Sequence, residues 1–330
     1  MKKVAINGLG RIGRATLKII LDRDDFELVA VNDLVPVSNL AYLLKYDTVY
    51  GRYEKEVKYD ADSLTVGGHK IKTLNEKDPE KLPWKDLGVE LVFESTGIFT
   101  KQEGLQKHLK AGAKRVILSA PSGSTEIATI VHGVNSSEES DQIISCASCT
   151  TNCITPVVEV MSRRVGIEKA IMTTIHAYTA SQGIVDSPSR KVRRGRAGAQ
   201  NLVPTSTGAA VATSKALPEV KGKFDGVAVR VPVPVGSIAD IVFVTSKDVT
   251  VEEINRIFEE EARSDKYKGI LGVCEDEFVS SDIIKDSRAS IVDLEMTQVV
   301  AGNLVKIMSW YDNEWGYASQ MIRAAEALKD

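Results

Sequence analysis

The chain has 330 residues, 43% hydrophobic and 26% charged, with 42 Lys and Arg against 45 Asp and Glu for a formal net charge of −3. That length calls for two domains, and the composition is that of an ordinary globular protein. The near balance of charge gives no reason to expect nucleic acid or an anionic membrane as the primary partner. No apolar run approaches the roughly 18 residues that span a bilayer. Four cysteines in so long a chain do not make a disulfide scaffold. The N-terminal MKKVAINGLGRIGR breaks its short apolar run with Asn and Gly and does not read as a signal peptide. A cytoplasmic enzyme or binding protein is expected.

In chain order, Lys3–Asn7 reads as a short apolar strand, Arg11–Leu21 as a helix and Glu27–Asn32 as a second buried strand. Val89–Glu94, Arg115–Ser119 and Gln142–Ser145 are further strands, with a helix over Gln102–Ala111. Strands alternating with helices predict an α/β, doubly wound parallel sheet. After Cys149 the texture changes. Lys169–His176, Gly226–Val233, Ile238–Ser246, Ser290–Asp293 and Leu304–Tyr311 are longer or more alternating, with a helix over Val251–Ala262. They predict a second, α+β domain with a mainly antiparallel sheet. Ala177–Pro204 is a long polar connection rich in Arg and Gly, of the kind that is usually functional. Tyr317–Leu328 reads as an amphipathic helix returning to the first domain. The expected division is residues 1–148 plus 313–330 for the first domain and residues 149–312 for the second.

Gly8-x-Gly10-x-x-Gly13 follows the first strand and opens the first helix. Such glycines allow a tight turn and close approach of a pyrophosphate, which the free N–H groups of the helix N-terminus attract. Asp33 stands twenty positions after Gly13, at the end of the second strand. A carboxylate there accepts hydrogen bonds from an adenosine ribose; a helix cap is the lesser alternative.

SCASCTTNCITP (145–156) holds three of the four cysteines. The spacing fits a metal site, a redox pair or a nucleophile. Zinc needs a fourth ligand and usually a second CxxC or paired histidines. The four histidines, His69, His108, His132 and His176, are not paired at short spacing, so no metal is expected. Ser148 can cap a helix beginning near Cys149, whose N-terminus would lower that thiol's pKa. Pro156 is awkward for a long uninterrupted helix. His176, at a strand end, is the candidate base, although a lone histidine is also commonly structural.

The segments INGLGRIGR, LLKYDTVYG, ESTGIF, SAPS, ASCTTNC, HAYTA, PTSTGAA, VAVRVPVP and SWYDNEWGY resemble, in order and over nearly the whole chain, phosphorylating glyceraldehyde-3-phosphate dehydrogenase. One departure is Cys146, where that family most often has Asn. The resemblance implies that the doubly wound sheet is of the Rossmann type and that the chain forms a homotetramer taking D-glyceraldehyde 3-phosphate, NAD and inorganic phosphate, with Cys149 as nucleophile and His176 as base. It implies NAD contacts from Gly8, Gly10, Arg11, Ile12, Gly13, Asp33, Thr96, Gly97, Ser119, Asn313 and Tyr317. Trp310, Trp315 and Tyr317 also read as core packing. Leu34 and Pro188 resemble the members that prefer NAD to NADP. For phosphates it implies Thr179, Ser181 and Arg230 at the substrate's own group, Ser148, Thr150, Thr207 and Gly208 at the attacking one, and Arg194 at both. Ala177–Pro204 resembles the family's loop at a subunit interface. The related erythrose-4-phosphate dehydrogenase is the alternative. A Cys–His hydrolase leaves the dinucleotide turn unexplained.

Overall fold

Short apolar strands punctuated by Gly, Asn and Asp build the first sheet, and longer alternating strands build the second. The computed structural model describes residues 1–328. The chain divides into two units, one of residues 1–130, 137–147 and those from Met321 on, the other of residues 131–136 and 148–320.

In the first unit, β1 (Lys2–Asn7), α1 (Arg11–Ile20) and β2 (Phe26–Asn32) follow the sequence pattern closely, and α1 turns Ala15, Leu17 and Ile20 inward. Next come α2 (Val37–Lys45), the hairpin β3 (Tyr46–Asp47) and β4 (Gly51–Arg52), and the strands β5 (Val57–Tyr59), β6 (Ser63–Val66) and β7 (His69–Leu74). The remainder is α3 (Trp84–Leu87), β8 (Leu91–Glu94), α4 (Gln102–Lys110), β9 (Arg115–Leu118), β10 (Ala128–Thr129) and β11 (Ile143–Ser145). The strands lie in the order β10-β11-β9-β8-β1-β2-β7-β6-β5. They run parallel as far as β7, and only β7–β6 and β6–β5 are antiparallel. Chain order reverses between β1 and β8, whose last residues Asn7 and Glu94 are register partners. In such sheets the crevice outside the reversing strand ends is where ligands bind.

In the second unit, α5 (Cys149–Arg164) precedes β12 (Ile167–Ala177), β13 (Val203–Ser206), α6 (Ala209–Ala216), β14 (Phe224–Val231) and β15 (Ser237–Thr245). Then follow α7 (Val251–Arg263), β16 (Leu271–Cys274), β17 (Ser290–Val300), β18 (Leu304–Tyr311) and α8 (Trp315–Glu326), which passes into the first unit at Met321. The sheet order is β13-β14-β12-β15-β18-β17-β16, with β14–β12 and β17–β16 parallel and the other pairs antiparallel. The core joins Val157, Met161, Ile241, Phe243, Ile254, Phe258 and Ile307. α5 lies at its centre, with every residue from Thr150 to Met161 buried.

Two local expectations are corrected. Pro156 neither breaks α5 nor confines it to an irregular turn; the helix runs through to Arg164. Loss of one backbone hydrogen bond is outweighed by burial of Ile154, Val157, Val158, Val160 and Met161. β17 extends beyond Asp293 to Val300, because a register shift between Asp293 and Gln298 interrupts the alternation without ending the pairing with β18. Ala177–Pro204 contains one short helical turn at Val192–Gly195, and its last two residues begin β13.

Candidate active site

The turn after β1 shows why its glycines are needed. Gly8 has φ +93°, and a Cβ there would lie 2.7 Å from the backbone nitrogen of Thr96. A Cβ on Gly13 would lie 2.0 Å from the carbonyl oxygen of Gly8, so only glycine lets α1 start this close to β1. Gly10 faces open space. A cleft of about 460 Å³ opens here, lined by Asn7, Gly8, Gly10, Asn32, Asp33 and Thr96, among others. Asp33 Oδ2 accepts the Leu9 N–H at 2.7 Å, and Oδ1 lies 3.3 Å from the Val35 nitrogen. The carboxylate therefore pins the turn as well as bordering the cleft.

Other first-unit candidates are less direct. Arg11 Nη1 is paired with Asp47 Oδ2 at 2.6 Å, its guanidinium over the Tyr50 ring, and Ile12 is partly buried beside it. Gly97 turns with φ +71° after Thr96. The Ser119 N–H is spent on the Glu94 carbonyl at 2.9 Å. The bare turn, the open face at Gly10 and the carboxylate at the second strand end fit a dinucleotide.

In the second unit, Ser148 caps α5, its Oγ accepting the Thr151 N–H at 3.1 Å. Cys149 is the first helical residue. Its Sγ lies 3.3 Å from His176 Nε2. His176 stands near the end of β12, where parallel pairing sets it beside Arg230 of β14. Arg230 Nη1 is 2.7 Å from His176 Nδ1 and donates to the Ala177 carbonyl at 2.9 Å; that carbonyl is 2.7 Å from Nδ1. Tyr311 stacks edge-on against His176 and bonds the hydroxyls of Thr150 and Thr174 at 2.9 and 2.8 Å.

Protonation departs from one expectation. The Cys149 thiol is not pushed down but raised, because its burial outweighs the Arg230 charge and the N–H groups of the helix start. Burial, then the Arg230 charge, pushes His176 down to about 3. Both shifts favour the uncharged forms, a thiol facing a neutral imidazole. Cys146 and Cys153 are fully buried and pushed up to about 12, also by burial.

Around this pair the charge is all of one sign. Arg194 Nε donates to Thr205 Oγ1 at 3.0 Å, and Lys191 Nζ to Ser206 Oγ at 2.9 Å. Burial and then mutual repulsion depress Lys191 and Arg194. Among the described residues none of Lys191, Arg194 and Arg230 has a carboxylate partner, and Arg230 Nε is buried without any partner. Such a group has the charge and donors to hold an anion. Lys191 was missed by sequence reasoning, although it lies in the loop already singled out.

The proposed phosphate residues divide. Thr179 and Ser181 bond each other at 2.9 Å on the exposed loop. Thr207 Oγ1 and Gly208 stand at the start of α6, Oγ1 accepting the Ala209 N–H at 3.2 Å. Ser148 is committed to its cap, and Thr150 is buried against Tyr311 with its N–H on the Cys149 sulfur. Asn313 is buried, its amide oxygen accepting from Gly236 N and Ser237 Oγ at 3.1 and 3.0 Å, and Tyr317 is buried on α8. Among the described residues no cluster of three His, Cys, Asp or Glu side chains could hold a metal, and no helix is long and apolar enough to cross a membrane.

A dinucleotide-type cleft in one unit and a thiol–imidazole pair beside a cluster of cations in the other are the parts expected of a nucleotide-dependent oxidoreductase. The model of the glyceraldehyde 3-phosphate dehydrogenase NAD binding domain matches residues 2–102, and that of the C-terminal domain matches residues 148–313. Among curated relatives, the glyceraldehyde-3-phosphate dehydrogenase of Streptomyces coelicolor is 48% identical over 324 residues, covering 97% of this chain and 96% of that protein. The Clostridium pasteurianum enzyme of that name is 47% identical over 333 residues (99% and 98%). Glyceraldehyde-3-phosphate dehydrogenase 1 of Bacillus subtilis is 48% identical over 326 residues (98% and 97%). The chain belongs to the glyceraldehyde-3-phosphate dehydrogenase family. It is an oxidoreductase whose cofactor is NAD.

Proposed function

We propose that the chain oxidises D-glyceraldehyde 3-phosphate to 1,3-bisphosphoglycerate, reversibly and with inorganic phosphate, through a thioester on Cys149. The observation that carries this reading is the 3.3 Å contact between Cys149 Sγ and His176 Nε2 beside Arg230, which has no carboxylate partner among the described residues. As the sulfur attacks the aldehyde carbon, His176 takes the thiol proton and returns it to the carbonyl oxygen, giving the hemithioacetal. The Cys149 N–H, at the helix start, is the donor for that oxygen. NAD, when bound, supplies the hydride acceptor. His176 removes the hydroxyl proton as the carbon is oxidised to the thioester. Inorganic phosphate then attacks the thioester carbon, and the Cys149 thiolate leaves.

Arg230 and Arg194, with Thr179 and Ser181, hold the substrate's phosphate; Thr207, Gly208, Ser148 and Thr150 serve the attacking one, with Lys191 adding charge to the basin. A bound phosphate draws Arg230's charge away from His176 and so raises the base's proton affinity when substrate is present. Gly8, Gly10, Arg11, Ile12, Gly13, Asp33, Thr96, Gly97 and Ser119 serve NAD, joined by Asn313 at the carboxamide and Tyr317. This assigns residues 1–148 and 313–330 to the cofactor and 149–312 to the chemistry.

The working form is a cytoplasmic homotetramer. Ile184, Val185, Val192 and Leu202, each more than two-thirds exposed, and Ile171 and Val227 on one face of β12–β14 are what a subunit contact would cover. The test is NADH formation with glyceraldehyde 3-phosphate and with erythrose 4-phosphate, each with and without phosphate. Phosphate-dependent turnover of the first is expected. Preference for the second would transfer the reading to erythrose-4-phosphate dehydrogenase, and phosphate-independent turnover would end the thioester mechanism. Sedimentation of a stable active monomer would refute the tetramer.

A further inference from the structure

A buried pair in the first unit, Glu94 and His108, is used by none of the chemistry above. Glu94 and His108 are both fully buried. Glu94 ends β8, beside the point where strand order reverses. Its Oε2 accepts Asn7 Nδ2 at 2.6 Å and faces His108 Nε2 at 3.1 Å. Its Oε1 accepts the Thr96 N–H at 2.8 Å and the Thr96 hydroxyl, and Thr96 Oγ1 in turn receives the Ile98 N–H at 3.1 Å. Asn7 Oδ1 accepts Asn32 Nδ2 at 2.7 Å, and the Asn32 amide bonds both the N–H and the carbonyl of Glu76. One carboxylate thus ties together the ends of β1, β2 and β8, and Asn7, Asn32, Thr96 and Glu76 all line the cofactor cleft.

His108 lies on α4 and is not among the residues lining that cleft. Its tautomer is fixed from behind. Trp84 Nε1 is 3.0 Å from His108 Nδ1, and an indole nitrogen can only donate, so Nδ1 is the acceptor and the ring proton sits on Nε2, aimed at Glu94. The buried carboxyl group of Glu94 therefore faces four donors: Asn7, His108 and two from Thr96.

We propose that His108, oriented by Trp84, is a positioning residue for the dinucleotide: its Nε2–H holds Glu94 so that the turn 95–98 stays against Gly8. The inference rests on the reading of this cleft as the NAD site. It acts on cofactor binding and leaves the Cys149–His176 pair alone.

Two amide replacements separate the two ring nitrogens. His108→Gln can place a donor where Nε2 stands, whereas His108→Asn can meet Trp84 at the Nδ1 position but cannot reach Glu94. NAD binding to the full-length protein is measured by titration calorimetry, with alkylation of Cys149 by iodoacetamide as a reporter on the other unit. Expected is a rise in Kd for NAD of about tenfold in His108→Asn, equivalent to about 1.4 kcal/mol. His108→Gln should stay within about threefold of wild type, with alkylation unchanged in both. Wild-type affinity in His108→Asn, equal loss in both variants, or parallel changes in alkylation would overturn the proposal. Should His108→Asn fail to fold, the wild-type ¹⁵N shifts of the His108 ring still decide, because a proton on Nδ1 refutes the relay and one on Nε2 supports it. Failure of the wild type to bind NAD would instead refute the cofactor reading itself.

Discussion

Asp33→Asn isolates charge from shape at the edge of the cofactor cleft. Asp33 does two things: Oδ2 anchors the turn through Leu9 N–H at 2.7 Å, and Oδ1, with only a 3.3 Å approach from Val35 N, is left for a ligand. An asparagine keeps an oxygen for Leu9 and turns the ligand-facing atom into a donor. A hydrogen bond involving an ionised group contributes about 1.5–3 kcal/mol. At about 1.4 kcal/mol per decade, that spans about 10- to 150-fold in NAD affinity. Asp33 is partly exposed, so solvent screening puts the expectation near the lower end, about tenfold. Removing the charge also removes repulsion of a 2′-phosphate, so the NADP to NAD ratio of kcat/KM should rise. Asp33→Gly should relax the preference too, but it loses the Leu9 anchor and with it stability. Calorimetric titration with both dinucleotides, beside urea denaturation, reads these effects separately. Unchanged NAD affinity in Asp33→Asn with NADP still excluded would reduce Asp33 to a turn anchor and refute the argument.

Cys149→Ser should abolish aldehyde oxidation with NAD binding intact; near-normal turnover would end the thioester proposal. His176→Asn should lower the rate by roughly 10²–10⁴, the usual share of a general base, as single-turnover NADH formation would show. Because His176 is pushed down to about 3 from an unfolded value of about 6.5, the unfolded chain binds the extra proton between those limits. Its contribution to stability is present above about pH 6.5 and lost as pH falls toward 3. Wild type should thus lose stability on acidification more steeply than His176→Asn, and parallel urea midpoints from pH 7 to 4 would contradict this. Mild peroxide should oxidise Cys149, which retains access to solvent, before the buried Cys146, Cys153 and Cys274. Any disulfide that follows should join Cys149 to Cys153, and a dominant Cys146–Cys149 link in peptide maps would count against the helix geometry.

Much of the fold was legible because apolar periodicity and strand length agree. Leu304–Tyr311 matches its strand end to end, as its alternation is unbroken. The strands β5 and β7 were missed because Lys58, Lys70 and Lys72 give them the composition of a solvated loop. The Gly turn and Asp33 were visible because their spacing is local. The contact of Arg230 with His176 was not, since it depends on the register of two strands 54 positions apart. The Glu94–His108 pair left no motif either, because α4 meets β8 only in the folded unit. The lowered thiol pKa was inferred from the helix start alone, and it failed because sequence gives no measure of burial.

The cluster of Lys191, Arg194 and Arg230 has a consequence for the bench. Three cations held together without a counter-charge among the described residues raise the free energy of the folded protein, and any multivalent anion that settles among them lowers it by RT ln(1 + [L]/Kd). An anion present at a hundred times its Kd would add about 2.7 kcal/mol. If phosphate or sulfate settles there, melting temperatures taken in those buffers would describe a liganded protein, whereas those taken in a bulky amine buffer would describe the bare one. Variants ranked for robustness in different buffers would be ranked partly by how well they still hold the buffer.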